Sequence, residues 1–193
     1  MHLNFARGAW KIDALTYAYS YRFPETPVFE QLDDCIANRK NTQTEQGFDN
    51  ITLLTKESCF PGTRIETKCS FDHFGAPLIT IAKDLIPDAN GALRYGDYLE
   101  IVVYENGVNV WRMYLNEGTV TWDCLLSVEF ALAEKTIHTL STEILKDKLV
   151  IIANDQKMTL HVENMYPSFH VGINACEGIN HFYSMTIEEA NRS

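Results

Sequence analysis

A chain of 193 residues, 46% of them aliphatic, aromatic or sulfur-containing and 22% charged, has the make-up of one globular domain around a single hydrophobic core. Its 26 Asp and Glu against 16 Lys and Arg give a formal net charge of −10, and the basic residues form no run. Such a chain repels polyanions on average, which excludes nucleic acid and anionic membrane surfaces as partners.

Period-two alternation dominates from end to end and predicts an all-β protein. LTYAYSYRF, from Leu15, sets Leu15, Tyr17, Tyr19 and Tyr21 on one side of a strand and Thr16, Ala18, Ser20 and Arg22 on the other. FEQLDDCIA, Phe29 to Ala37, carries apolar residues at helical spacing and is the one predicted helix. The polar, Gly-containing stretch 39–49 is a predicted long loop. Strands follow at ITLLTK from Ile51, RIETKCSF from Arg64 and PLITIAKDL from Pro77. In RIETKCSF, Ile65, Thr67, Cys69 and Phe71 share one side, against Arg64, Glu66, Lys68 and Ser70 on the other.

GDYLEIVVYENGVNVWRMY, Gly96 to Tyr114, reads as two strands joined at Asn106-Gly107. LLSVEFAL from Leu125, HTLSTEIL from His138, KLVIIAN from Lys148, MTLHVE from Met158, FHVGINA from Phe169 and HFYSMTI from His181 complete a set of about twelve. Turn residues separate them: Pro87 to Gly91, Asn106-Gly107, Asn116 to Gly118, and Asn154-Asp155. That many short strands suit two stacked antiparallel sheets in one domain spanning residues 1–193, and the absence of a repeated motif disfavours a propeller or solenoid.

Cys35, Cys59, Cys69, Cys124 and Cys176 are odd in number and widely spaced, with no CxxC pair, so the expectation is reduced and mostly buried thiols. No HxH or HxxxH spacing marks a zinc site, and Asp88, Asn90 and Asp97 fall short of the 6 to 8 oxygens typical of calcium. No metal or cofactor is expected. MHLNFARGAWKID, at the N-terminus, lacks the apolar run of a signal peptide, and no stretch approaches the roughly 18 apolar residues of a membrane span. The expected location is therefore the cytoplasm.

HTLSTEILKDKLVIIANDQKMTLHV, from His138, and FHVGINACEGINHFYSMTI, from Phe169, resemble strand pairs of the concanavalin A-like lectin/glucanase (laminin-G-like) superfamily. The resemblance covers about Gly62 to Ile187; Ile137 stands where many relatives carry Trp before the His. It implies an antiparallel jelly-roll β-sandwich whose members bind glycans in a concave face or on its rim, and some of which hydrolyse them.

A two-residue turn at Asn106-Gly107 sets Glu105 opposite Val108, Val102 opposite Trp111 and Glu100 opposite Met113. One face then holds Leu99, Ile101, Val103, Val108 and Val110, a core set. The other holds Tyr98, Glu100, Tyr104, Asn109 and Trp111, with Arg112 beside them: flat rings for a sugar's C–H face and polar groups for its hydroxyls. A three-residue loop with a bulge is the alternative; it pairs Glu100 with Arg112 and Tyr98 with Tyr114, and sends Trp111 to the core.

Tyr19 and Tyr21, on one face with Tyr17 and flanked by Arg22, form a second candidate platform, with an aromatic core strand as its alternative. His73, next to Asp72, is a candidate sugar contact or general base against a solvated turn histidine. The resemblance also implies a hydrolase alternative, because glucanases of this superfamily carry ExDxE or ExDxxE on one strand. EIVVYE, Glu100 to Glu105, has the longer spacing, but Val102 occupies the Asp position, and in a regular strand Glu100 and Glu105 point apart. The main expectation is a carbohydrate-binding domain; a hydrolase acting through Glu100 and an interaction domain that buries its aromatics in a homodimer are its rivals.

Overall fold

The computed structural model describes residues 1–23, 26–38, 50–116 and 119–189; the predicted loop 39–49 and part of the predicted turn at Asn116 to Gly118 lie outside the described residues. Seventeen strands follow in chain order among the described residues. The first nine are β1 (His2–Asn4), β2 (Leu15–Ser20), β3 (Glu30–Gln31), β4 (Ile36–Ala37), β5 (Ile51–Thr55), β6 (Thr63–Asp72), β7 (Pro77–Ala82), β8 (Ile86–Pro87) and β9 (Leu93–Tyr95). The rest are β10 (Tyr98–Tyr104), β11 (Gly107–Asn116), β12 (Thr119–Glu129), β13 (His138–Ile144), β14 (Lys148–Ala153), β15 (Gln156–His161), β16 (His170–Ala175) and β17 (Ile179–Glu188). Every strand predicted from alternation is present. The additional ones, β1, β3, β4, β8 and β9, are two or three residues long, too short for a period to register.

One sheet runs β15-β14-β13-β6-β17-β4-β3, with β1 also on β17; the other runs β12-β11-β10-β7-β16-β5-β2-β9-β8. Pairing is antiparallel except between β2 and β9, where Tyr19 lies opposite Arg94. The facing sides enclose the core. Ile65, Phe71, Leu140, Ile151 and Phe182 from the first sheet meet Leu53, Ile79, Leu99, Ile101, Val103 and Ile173 from the second, all buried. At about 1.5–3 kcal/mol for each large apolar side chain removed from water, this layer is the main source of stability.

The predicted helix at Phe29 to Ala37 is absent. Glu30 instead pairs with Ala37 in a small hairpin, and Ala37 pairs onward with His181 of β17. Nine residues gain little as an isolated helix, whereas this hairpin inserts Phe29 against Phe182, ring centroids 5.7 Å apart. The Gln31 side-chain amide fixes its bend by donating to the carbonyls of Phe5, Leu32 and Cys35.

The β10–β11 hairpin adopts neither predicted register. Its turn is Glu105-Asn106: Tyr104 faces Gly107, Val102 faces Asn109, Glu100 faces Trp111 and Tyr98 faces Met113. Neither turn residue has the positive φ that a type I′ turn requires. The glycine serves a different need: Gly107, at φ 139°, is the first residue of β11, and a Cβ there would overlap the Val128 carbonyl oxygen of neighbouring β12. Because each strand slides by one residue, partners change while faces do not, and Leu99, Ile101, Val103, Val108 and Val110 are all core.

The His and Asn of the HTLSTEIL…IIAND segments are joined. His138 stacks on Phe71 and meets the Asn154 side-chain amide at 3.1 Å, with Asn154 at φ 50° in the β14–β15 turn. These residues secure the sandwich rather than a site. All five cysteines are free; Cys35, Cys59 and Cys69 are buried, and Cys124 is exposed.

Candidate functional site

The second sheet has two faces, and its outer one is not a plain solvated surface. Ala18, Leu54, Ala82, Tyr95, Tyr98 and Met113 form a second, smaller buried cluster there. Alternation dictates the arrangement: Leu99, Ile101 and Val103 point inward, so Tyr98, Glu100, Val102 and Tyr104 point outward. Register then sets Thr80 beside Glu100 and Leu78 beside Val102 on β7, with Asn174 beyond Leu78 on β16.

A cavity of about 480 Å³ opens on this face. Glu100, Val102, Leu78 and Met113 line its floor, and Asn109 and Trp111 rise from β11. Trp122, from β12, and Arg22, just past β2, close one side. Phe74, Gly75 and Ala76 of the β6–β7 loop, with Cys176 and Glu177 after β16, close the other; Tyr104 and Glu105 end it at the hairpin turn.

Each wall has a local cause. Arg22 donates its backbone N–H to Ser20 Oγ at 3.2 Å, and its guanidinium lies 4.9 Å from the Trp122 ring and 5.3 Å from that of Phe23. Opposite, His73 and Phe74 both sit at positive φ (50° and 62°), a costly conformation for non-glycine residues. Asp72 holds the bend, its carboxylate accepting the His73 N–H at 2.8 Å and its carbonyl the Gly75 N–H at 3.0 Å. Gly75 and Gly178 are in backbone contact, where a Cβ on either would overlap the other segment. That contact brings Phe74, which is 74% exposed, to the same rim as Glu177.

Glu100 is the chemical centre of the cleft. It is buried, and its carboxyl makes no hydrogen bond to another described residue. Burial pushes it up to about 7, with Arg22 pulling the other way, so near neutral pH it is present in both protonated and ionised forms. Burial also raises the Cys176 thiol, and Glu100 and Glu177 raise it further, so the thiol stays protonated and a poor nucleophile. Three further polar atoms on this face, Thr80 Oγ1, Asn109 Oδ1 and Asn174 Oδ1, are buried without a partner among the described residues. Buried polar atoms are normally paired, so this density of unpaired ones is unusual for a structural face.

Of the residues singled out from sequence, the cleft brings together Glu100, Tyr104, Asn109, Trp111 and Arg22. Tyr98 lies beneath it, fully buried, its hydroxyl 3.0 Å from Ser20 Oγ. Tyr19 is buried away from the cleft with Arg94 over its ring, and Tyr21 is exposed outside the lining. Arg112 points to the opposite side of β11, where its Nη1 donates to the Glu163 carbonyl at 2.7 Å and its guanidinium lies over Tyr166. His73 flanks Phe74 with its ring outward, 3.8 Å from the Asp72 carboxylate.

Sequence reasoning missed Trp122, Phe74, Met113 and Glu177, and it set Glu105 on the wrong side. Glu105 belongs to the turn, where strand alternation no longer applies. Trp122 escaped because β12 begins at Thr119 and carries a bulge: Val110 faces Leu126 while Trp111 faces Cys124, leaving Leu125 extra and the alternation broken. The turn residues at Asn116 to Gly118 were the available signal, since a strand returning beside β11 must start just after them. Among the described residues, no group of three or more His, Cys, Asp or Glu side chains could hold a metal ion.

Two sheets, antiparallel except at β2–β9, with a cleft on the outer face of one make a β-sandwich of the concanavalin A-like fold. No protein-family model matches the chain, and no curated protein sequence is similar to it. Solved structures share the fold at low identity. The carbohydrate-binding module CBM66 from Bacillus subtilis superposes with a TM-score of 0.61 at 14% identity, covering 83% of this chain and 91% of that one. A glycoside hydrolase family 16 endo-glucanase from Bacteroides ovatus gives 0.60 at 10% identity, covering 97% and 99%. The Crh5 transglycosylase gives 0.60 at 13%, covering 100% of this chain and 85% of its own.

Proposed function

We propose that this chain binds a glycan in the cleft on the outer face of its larger sheet. The observation that carries the reading is an aromatic-walled cavity of about 480 Å³ whose buried Glu100 lacks a hydrogen-bond partner among the described residues. Trp111, Trp122 and Tyr104 offer flat rings for the C–H surface of a sugar, while Glu100, Asn109 and Glu177 offer polar atoms for its hydroxyls. Structural neighbours that include a carbohydrate-binding module and carbohydrate-active enzymes support the same class of ligand.

The test is a glycan array probed with the wild-type chain beside Trp122→Ala and Trp111→Ala. Trp122 is half exposed and stacked with Arg22, so its removal should cost about 1–2 kcal/mol of stability while weakening binding by about 2 kcal/mol, the usual worth of an aromatic hot spot. Equal binding by both variants and wild type would show that the ligand sits elsewhere. Failure of the wild type to bind any glycan would favour an interaction domain whose aromatics bury against another chain.

A second reading, glycoside hydrolysis, is favoured by one observation: a buried carboxyl raised to about 7 suits a general acid, and Glu105 and Glu177 line the same cavity. Against it, Val102 replaces the carboxylate expected at that position of the strand. Glu105 lies in the β10–β11 turn, past the end of the strand that carries Glu100, so strand alternation does not set the two carboxyls side by side. New reducing ends from a bound glycan, abolished in Glu100→Gln, would establish hydrolysis.

A further inference from the structure

Phe74 is the most exposed large apolar side chain among the described residues, at 74%. It is also held in place at a cost. Phe74 and its neighbour His73 both have positive φ, a region that a turn built for stability fills with glycine or asparagine. The surroundings over-determine the bend. The Asp72 carboxylate accepts the His73 N–H and lies 3.3 Å from Lys135 Nζ, the Glu134 carboxylate accepts the Phe74 N–H at 3.3 Å, and the Gly75 backbone packs on Gly178. Strain maintained around a ring that packs little is characteristic of a functional position, not of a structural one.

Strand register places that ring at one end of the cleft. Met113 pairs with Tyr98, the first residue of β10, on one side and with Trp122 on the other, so Trp122 stands at the Tyr98 end. Val102 pairs with Leu78 on β7, and the chain preceding Leu78 continues toward the Tyr104 end, where Phe74 joins Tyr104 and Glu177 in the lining. Trp111, opposite Glu100, lies between the two ends. Flat rings thus recur along the cleft, with the polar groups of Glu100, Asn109 and Glu177 among them. From this arrangement we infer that Phe74 forms a sugar subsite of its own, at the opposite end of the cleft from Trp122, and that the ligand is an oligosaccharide long enough to occupy both. The inference rests on the glycan-binding reading and adds to it a binding residue and a chain length.

Phe74→Gly tests it, because it removes the ring and relieves the backbone together. Isothermal titration uses gluco-, galacto- and xylo-oligosaccharides, each from monosaccharide to hexasaccharide. Wild-type affinity should rise with chain length until both ends are filled. Phe74→Gly should bind the hexasaccharide about tenfold more weakly, Trp122→Ala should do the same from the other end, and Phe74→Tyr should bind as wild type does. The shortest chain that binds should be weakened by at most one of Phe74→Gly and Trp122→Ala. Thermal unfolding of Phe74→Gly should come no earlier than that of wild type, since glycine adopts positive φ without strain.

A series that Phe74→Gly and wild type bind equally overturns the subsite and leaves glycan binding intact. Affinity that does not rise beyond the monosaccharide overturns the required chain length. Earlier unfolding of Phe74→Gly, with the same loss at every length, also overturns the subsite and assigns Phe74 to the fold. Failure of the wild type to bind any member of the three series would instead count against the glycan reading, and the subsite would fall with it.

Discussion

The two faces of strand β10 differ by one residue in sequence and by a great deal in chemistry. Inward, Leu99, Ile101 and Val103 belong to the main apolar core and are fully buried. Outward, Tyr98 and Glu100 are nearly as buried, yet they share their face with Thr80, Asn109 and Asn174, whose oxygens lack partners among the described residues. Burial alone therefore does not distinguish core from site. What distinguishes them is polar content: the inner residues of β10 carry no polar side-chain atom, and the outer face sets acceptors, hydroxyls and a carboxyl around a cavity.

Substitutions on the two faces should consequently fail in different ways. Ile101→Ala, on the inner face, should cost about 2–5 kcal/mol in denaturant unfolding, the range for deleting a large aliphatic side chain in a packed core. A cost under about 1 kcal/mol would mean that the sandwich core is not where Ile101 sits.

Glu100→Gln, on the outer face, should act through pH. The folded carboxyl is raised from 4.5 to about 7, so between those values the unfolded chain releases its proton more readily than the folded one. Stability attributable to this group is thus intact below pH ~4.5 and falls as pH rises to ~7, by about 3 kcal/mol in all. Gln cannot ionise, so the variant should lose that slope and exceed wild type in stability at pH 8. Parallel stability profiles from pH 4 to 8 would show that Glu100 is solvated and that the two faces differ less than described.

Tyr98→Phe gives the smallest of these effects. It removes one hydroxyl, 3.0 Å from Ser20 Oγ, and should cost about 1 kcal/mol in unfolding. Because Ser20 Oγ also accepts the Arg22 N–H, glycan affinity should drop in step if Tyr98 positions Arg22 through Ser20. Unchanged affinity would assign Tyr98 to packing alone, on the chemical side of the inner face.

Sequence periodicity settled more of this protein than its length would suggest. Alternation over five or more residues located the longer strands and sorted β10 and β11 into their faces, because side chains alternate with period two whatever the register. It also named Glu100, Tyr104, Asn109 and Trp111 as one surface, and it set Arg22 near an aromatic strand. Arg112 differed because i and i+1 on a strand never share a face: proximity to Trp111 in sequence put it on the opposite side of the sheet.

Tertiary structure decided the rest. The hairpin turned at Glu105-Asn106 because Gly107 was needed where β12 closes on β11, a constraint from a strand some twenty residues away in sequence. Phe29 to Ala37 became a hairpin because β17 offered an edge to pair with, which no local propensity records. Trp122 comes from β12, Phe74 and Glu177 from two separate connections, and they meet at the cleft through a bulge and a glycine-to-glycine backbone contact. Period and polarity are local properties of a chain and can be read from it. A cavity is made by segments distant in sequence, and so is the raised pKa of Glu100, which depends on neighbours that only the folded chain supplies.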